Sequence, residues 1–150
     1  MIDCLDDVDK VILETLQDDA RTPLRIIAEK TGVSEATIFA RVRKLLEKGV
    51  IKRFTALVSP ELLGKNLMAF VLINANPKHL QMVLASLQKM EDVYEAYDVT
   101  GTYYAIAKIR ANSREELAKL IDQIGLIEGV TSTETAIVLR CVKEETRIKL

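Results

Sequence analysis

Residues 22–51, TPLRIIAEKTGVSEATIFARVRKLLEKGVI, constrain this chain more than any other stretch. They read as two short helices joined by a tight turn. Thr22 is placed to cap the first helix, and Pro23 suits its first position, where no backbone donor is needed. Ile26, Ile27 and Lys30 carry that helix from one turn to the next. Gly32 stands where a helix ends in a left-handed residue. Ser34 then caps a second helix that runs to Lys48, and Gly49 ends it. Helix, Thr-Gly-Val-Ser turn, helix is the spacing of a helix-turn-helix.

Stepping the second helix at about 100° per residue separates its faces. Ile38, Val42, Leu45 and Leu46 gather on one side, which is expected to be core. Ala36, Thr37, Ala40, Arg43, Lys44 and Glu47 gather on the other, with Phe39 and Arg41 on the borders. Small residues come first on the outer face and cations follow a turn or two later. Small side chains let the start of a helix approach a surface closely, and the cations then reach phosphates flanking that surface. A helix that enters the DNA major groove by its N-terminal turns needs this layout. The candidate DNA contacts are Thr22, Ser34, Glu35, Ala36, Thr37, Phe39, Ala40, Arg41, Arg43 and Lys44. The bland alternative is a solvated amphipathic helix in a bundle, and helix-turn-helix units also serve as protein-contact modules.

Charge distribution bears on that choice. The formal net charge is −1 and the pI about 5.9, which does not look like a DNA binder. Residues 1–20 hold seven acids against Lys10, a balance of −6. Residues 21–53 hold nine bases against Glu29, Glu35 and Glu47, a balance of +6. A basic surface concentrated on the helix-turn-helix is the local footprint that a polyanion uses. Acids elsewhere do not cancel it, because the Debye length is about 8 Å at physiological salt.

At 49% hydrophobic and 29% charged residues the 150-residue chain is globular, with room for one domain or two small ones. Its apolar runs are too short to span a bilayer. The acidic start, MIDCLDDVDK, is the opposite of a signal peptide. The expected location is the cytoplasm, with no membrane partner. Cys4 and Cys141 lack metal-ligand spacing and read as reduced thiols, Cys141 packed in a strand. His79, the only histidine, reads as a surface residue at a helix start.

Around the helix-turn-helix, residues 5–18 form a first helix capped by Asp6, with Val8, Ile12, Leu13 and Leu16 buried. Residues 51–58 suggest a short strand, a small wing exposing Lys52 and Arg53. Residues 60–65 read as a hinge. The remainder follows a βαββαβ order: strand 66–75, helix 77–90, strands 93–100 and 103–111, helix 113–124, strand 130–142. This is an α+β, ferredoxin-like arrangement. The expected domains are therefore 1–59, the hinge 60–65, and 66–150. The first strand is apolar on both faces: Leu67, Ala69, Val71 and Ile73 on one, Met68, Phe70 and Leu72 on the other. Helices cover one face of such a sheet, so the open face is expected to pack on a second copy. At roughly 25 cal/mol per Å2, a standard interface of about 1,600 Å2 holds a stable dimer.

The motifs Leu5-Asp6-x-x-Asp9-x-x-Ile12-Leu13, Asp19-Ala20-Arg21 and Gly32-Val33-Ser34 with Thr37, Arg41 and Val42 occur here in order. Leu45, Gly49-Val50-Ile51 and Thr100-Gly101 follow. In this order and spacing the whole chain resembles the Lrp/AsnC, or feast/famine, transcription regulators. The resemblance implies a homodimer through the βαββαβ (ACT-like) domains, often assembled into octamers, and binding of double-stranded DNA by the second helix of the motif. It also implies an amino-acid effector held between dimers, and no other cofactor.

The effector turn departs from the family pattern. Such turns typically read Thr-Gly-Asp/Glu-Tyr-Asp, whereas Thr100-Gly101-Thr102-Tyr103-Tyr104 lacks both acids. Gly101 still lets backbone approach a ligand, and free amides in the turn suit an α-carboxylate. By the resemblance Thr133 and Thr135 line the pocket with hydroxyls, and Asp122 is the remaining candidate for an amino group.

The leading reading is a sequence-specific DNA-binding transcription regulator modulated by an amino acid. The alternative is an amino-acid-sensing module that acts on a protein partner, for which the basic face of the front half has no purpose. Catalysis is not expected. The chain has no glycine-rich phosphate loop, no histidine–acid–nucleophile set, no arginine–asparagine phosphate cradle and no metal-ligand cluster.

Overall fold

The computed structural model describes residues 5–150, so Cys4 lies outside the described residues. The chain divides into two compact units: residues up to Leu57 together with Lys143–Leu150, and Val58–Val142.

The first unit is built on three helices, α1 (Asp7–Asp18), α2 (Leu24–Thr31) and α3 (Glu35–Glu47). Asp6 caps α1, its Oδ1 accepting from the Asp9 backbone N–H at 2.9 Å. Ile12 and Leu13 of α1, Ile27 of α2, and Ile38, Val42 and Leu45 of α3 form one buried cluster. Full burial of such a side chain contributes about 1.5–3 kcal/mol, which is what holds three short helices in register. Gly32 ends α2 at φ +72°, the left-handed conformation its position demands.

Several expectations for this unit change. Thr22 does not cap α2. Its hydroxyl donates to the Asp19 carbonyl at 2.8 Å and closes the preceding turn, while Pro23 takes the N-cap position without a side-chain bond. Leu46, expected in the core, is exposed because it sits about 80° round α3 from Ile38, at the edge of the apolar stripe. Residues 51–58 form no strand: none of the described strands runs alongside them, and a strand is defined by its ladder. The tail, expected in the second domain, packs on the first unit. Gln17 donates from Nε2 to the Ile148 carbonyl at 3.0 Å and accepts from the Ile148 N–H at 2.7 Å. Arg147 pairs with Asp18 at 2.7 Å.

The second unit is a four-stranded antiparallel sheet in the order β2-β3-β1-β4, from β1 (Leu67–Ala75), β2 (Val93–Asp98), β3 (Ala105–Ala111) and β4 (Val130–Ile137). Helices α4 (Leu80–Lys89) and α5 (Arg114–Gly125) are the crossovers, and α4 is entered through a 3-10 turn, Pro77–His79. Ser113 caps α5, accepting from the Glu116 N–H at 3.1 Å. The helix-covered face buries Ala69, Val71 and Ile73 of β1 against Ile109, Ala107 and Ala105 of β3, with Val83, Leu87, Leu117, Leu120 and Ile124 above them. Strand β4 is shorter than expected. Its last β1 partner is the Val138 N–H to the Met68 carbonyl, one residue from the start of β1, so the ladder has no more edge to use. Cys141 is consequently exposed rather than packed in a strand.

The open face is half apolar. Met68, Phe70 and Leu72 of β1 are half-buried and continue into Ile106 of β3. Lys108 and Arg110 share that face and are buried to 9% and 6% exposure, Lys108 donating to Glu95 and Arg110 to Glu61. Residues 60–65 close on themselves as a turn, and Lys65 bridges Asp92 at 2.8 Å and Glu116 at 3.3 Å. Those carboxylates hold the Lys65 ammonium above its ordinary range, Asp92 foremost.

Candidate functional site

Helix α3 carries most of the candidate DNA contacts. Ser34 is its N-cap: the hydroxyl accepts from the Thr37 N–H at 3.1 Å and shares a 2.8 Å hydrogen bond with the Thr37 hydroxyl. The tip of the helix is therefore fixed by its own side chains. Glu35, Ala36, Thr37 and Ala40 are all exposed along the first two turns, and Phe39 is 60% exposed at the border. Arg43 and Lys44 follow on the same outward side. Arg43 donates from Nε to Glu47 at 2.8 Å, a pair exposed on both sides, while Lys44 makes no ion pair among the described residues. Exposed pairs contribute about 0–1 kcal/mol, so a phosphate readily displaces Glu47 from Arg43.

Arg41 is placed differently. Its Nη1 donates to Asp6 Oδ2 at 2.7 Å and to Asp9 Oδ1 at 2.9 Å. The guanidinium is held above its ordinary range by the Asp6 bond, then by Asp9. Asp6 is held below the usual carboxylate range, first by the Asp9 backbone N–H and then by Arg41. Thr22 stands half-buried at the turn before α2, its hydroxyl committed to Asp19.

The turn expected to receive an effector lies between β2 and β3. Gly101 adopts φ +118°, a conformation that favours glycine. The Val99 N–H to Tyr104 carbonyl bond closes the loop, and the Tyr104 N–H donates to the Ile73 carbonyl, tying it to the end of β1. Thr100, Thr102 and Tyr103 line a shallow hollow with Asp98 and Ile106. The Tyr103 hydroxyl donates to the Glu134 carboxylate on β4. That bond is the first reason the phenol is held above its ordinary range.

Register separates the remaining candidates. Thr133 and Thr135 pair with Ile73 and Val71, so they share the helix-covered side, whereas Glu134 pairs with Leu72 on the open side. Asp122 is exposed on α5. One chain thus gathers residues 100–103 and Glu134, and places Thr133 and Thr135 on the opposite face. Sequence reasoning does not place Glu134 beside the turn. Strand alternation through Thr133-Glu134-Thr135 is the signal that reveals it.

No helix among the described residues is long and apolar enough to cross a membrane. No group of three or more His, Cys, Asp or Glu among them is arranged to hold a metal ion.

Residues 68–148 match the model of the Lrp/AsnC ligand binding domain, and residues 5–52 match a winged helix-turn-helix DNA-binding model. The HTH-type transcriptional regulator FL11 of Pyrococcus furiosus is 46% identical over 96% of this chain and 95% of its own length. The chain belongs to the Lrp/AsnC family. Among solved structures, Escherichia coli AsnC superposes with a TM-score of 0.90 at 36% identity, over 95% of this chain and 97% of that one. A feast or famine regulatory protein of M. tuberculosis complexed with L-methionine superposes at 0.89 with 29% identity, over 97% and 99%. As an Lrp/AsnC chain, this protein pairs a helix-turn-helix DNA-binding unit with the family's ligand-binding domain, and it is a DNA-binding transcription regulator. The protein-directed alternative is not favoured, because the DNA-binding match covers the unit that reading leaves without a purpose.

Proposed function

We propose that this regulator binds duplex DNA as a homodimer, inserting the first turns of α3 into the major groove. One observation carries the reading: α3 presents an exposed face of small residues capped by Ser34, with Arg43 and Lys44 one to two turns behind. Ala36, Thr37 and Ala40 meet base edges in this arrangement, with Glu35 and Phe39 at the margins. Arg43 and Lys44 meet phosphate. The open face of Met68, Phe70, Leu72 and Ile106 supplies a dimer contact, and two-fold symmetry doubles the DNA site. Assembly of such dimers into octamers is what the family resemblance implies. The protein works in the cytoplasm, on DNA, without chemistry of its own.

The ligand of the second domain is an amino acid, as the methionine-bound relative suggests. The amides of residues 100–103 receive its carboxylate. Glu134, joined to the turn by the Tyr103 hydroxyl, takes the place of the missing turn acids for the amino group, with Asp98 lining the same hollow. Thr133, Thr135 and Asp122 lie on the other side of the sheet from Glu134 or on α5, so they join such a site only from a neighbouring dimer.

Selection of binding sites from a random duplex pool, with and without a mixture of amino acids, tests the proposal. An inverted repeat whose recovery shifts with one amino acid is the expected result. Affinity no better than that of a charge-matched control protein overturns it.

A further inference from the structure

We infer that Arg41 is a positioning residue that locks α3 onto α1, and that it does not contact phosphate. This rests on the DNA-binding reading and deepens it. Arg41 lies on α3 but on the border that turns toward α1. Its Nη1 is shared by two carboxylates, Asp6 Oδ2 at 2.7 Å and Asp9 Oδ1 at 2.9 Å. Its side chain is 31% exposed, against 72% for Arg43 two residues on, at the outer face. Asp6 is doubly employed, because its other oxygen caps α1. One guanidinium thus ties the capped start of α1 to the middle of the helix that carries the candidate DNA contacts.

Asp6, Asp9, Thr37, Ala40, Arg41 and Lys44 surround one shallow hollow on this edge. Lys44 and Lys48 line the same hollow, so the two acids do not make it repulsive to a phosphate. Their part is to hold Arg41, and through it they set the tilt of α3. Nη1 carries both carboxylate bonds, and the two acids already offset the guanidinium charge, so a phosphate gains little from the N–H groups left over at position 41.

The sign of one substitution separates the two roles. Removing a negative charge near DNA ordinarily tightens binding. If Asp9 holds the brace, Asp9→Asn weakens it instead. The experiment measures binding of the parent, Asp9→Asn, Arg41→Gln, the double variant and Lys44→Ala to one duplex recovered from the random pool, over a salt series, with thermal unfolding in parallel. Asp9→Asn and Arg41→Gln are each expected to weaken binding about tenfold, roughly 1.4 kcal/mol, and the double variant no further. Their salt slope stays at the parental value, while Lys44→Ala lowers it by about 0.9. A drop of that size in Arg41→Gln overturns the inference. So does Asp9→Asn binding more tightly than the parent, and Asp9→Asn decides alone if Arg41→Gln fails to fold. A parent with no affinity above the charge-matched control overturns the DNA-binding reading and this inference with it.

Discussion

Gly129 is the position where a single added atom meets the hardest obstacle. It adopts φ +98°, and a Cβ there falls 2.4 Å from the Cβ of His79. Its carbonyl also accepts from the Asn76 N–H at 2.7 Å, so the segment cannot swing away without losing that bond. Gly129→Ala combines left-handed strain with overpacking, and is expected to cost about 2–4 kcal/mol, read as a lowered midpoint in urea unfolding. Titratable residues set a second expectation. Asp6, Glu61 and Glu95 are all held below their ordinary values: Asp6 by the Asp9 N–H, Glu61 by its own backbone N–H and Ser59, Glu95 by the Tyr97 hydroxyl and then Lys108. A depressed carboxyl stabilises the fold above its unfolded value, here 3.8 for Asp6 and 4.5 for the two glutamates, and that contribution disappears as pH falls through the lower folded value. Tyr97 and Tyr103 are raised, so their contribution is complete below pH 10 and disappears above it. Thermal unfolding across pH is expected to show a plateau between these limits. Asp6→Asn keeps a cap but removes the carboxylate, so it flattens part of the acid limb.

At the scale of elements, α3 is legible in the sequence because three signals agree on it: the cap at Ser34, the apolar stripe of Ile38, Val42 and Leu45, and the stop at Gly49. Ser34→Ala removes the acceptor for the Thr37 N–H and also frees the Thr37 hydroxyl. It is expected to cost about 1 kcal/mol in calorimetry. The βαββαβ order is legible from alternation and from Ser113, and the sheet order follows it. What the sequence does not carry is whatever depends on a distant partner. Residues 51–58 have strand-like composition, yet composition does not provide a neighbouring strand. The end of β4 is decided by where β1 starts, at Leu67, and the tail by Gln17, which offers both halves of an amide to Ile148. Its helix alone would assign Arg41 to DNA. The partners that hold it, Asp6 and Asp9, sit more than thirty positions away, so no local pattern links them.

At the scale of the molecule, a charge balance near zero conceals two opposed surfaces. Acids crowd the first twenty residues and bases the next thirty-three, and α1 places some of those acids against the border of α3. In the proposed complex the cations left facing outward are what a duplex meets. Salt dependence of DNA binding by an Arg43→Ala/Lys44→Ala double variant tests that claim most directly, measured against the parent on one selected duplex. The slope of log affinity against log salt is predicted to fall by about 1.8, because two phosphates are no longer neutralised. Parental affinity with a parental slope contradicts the account, because α3 then does not face the DNA.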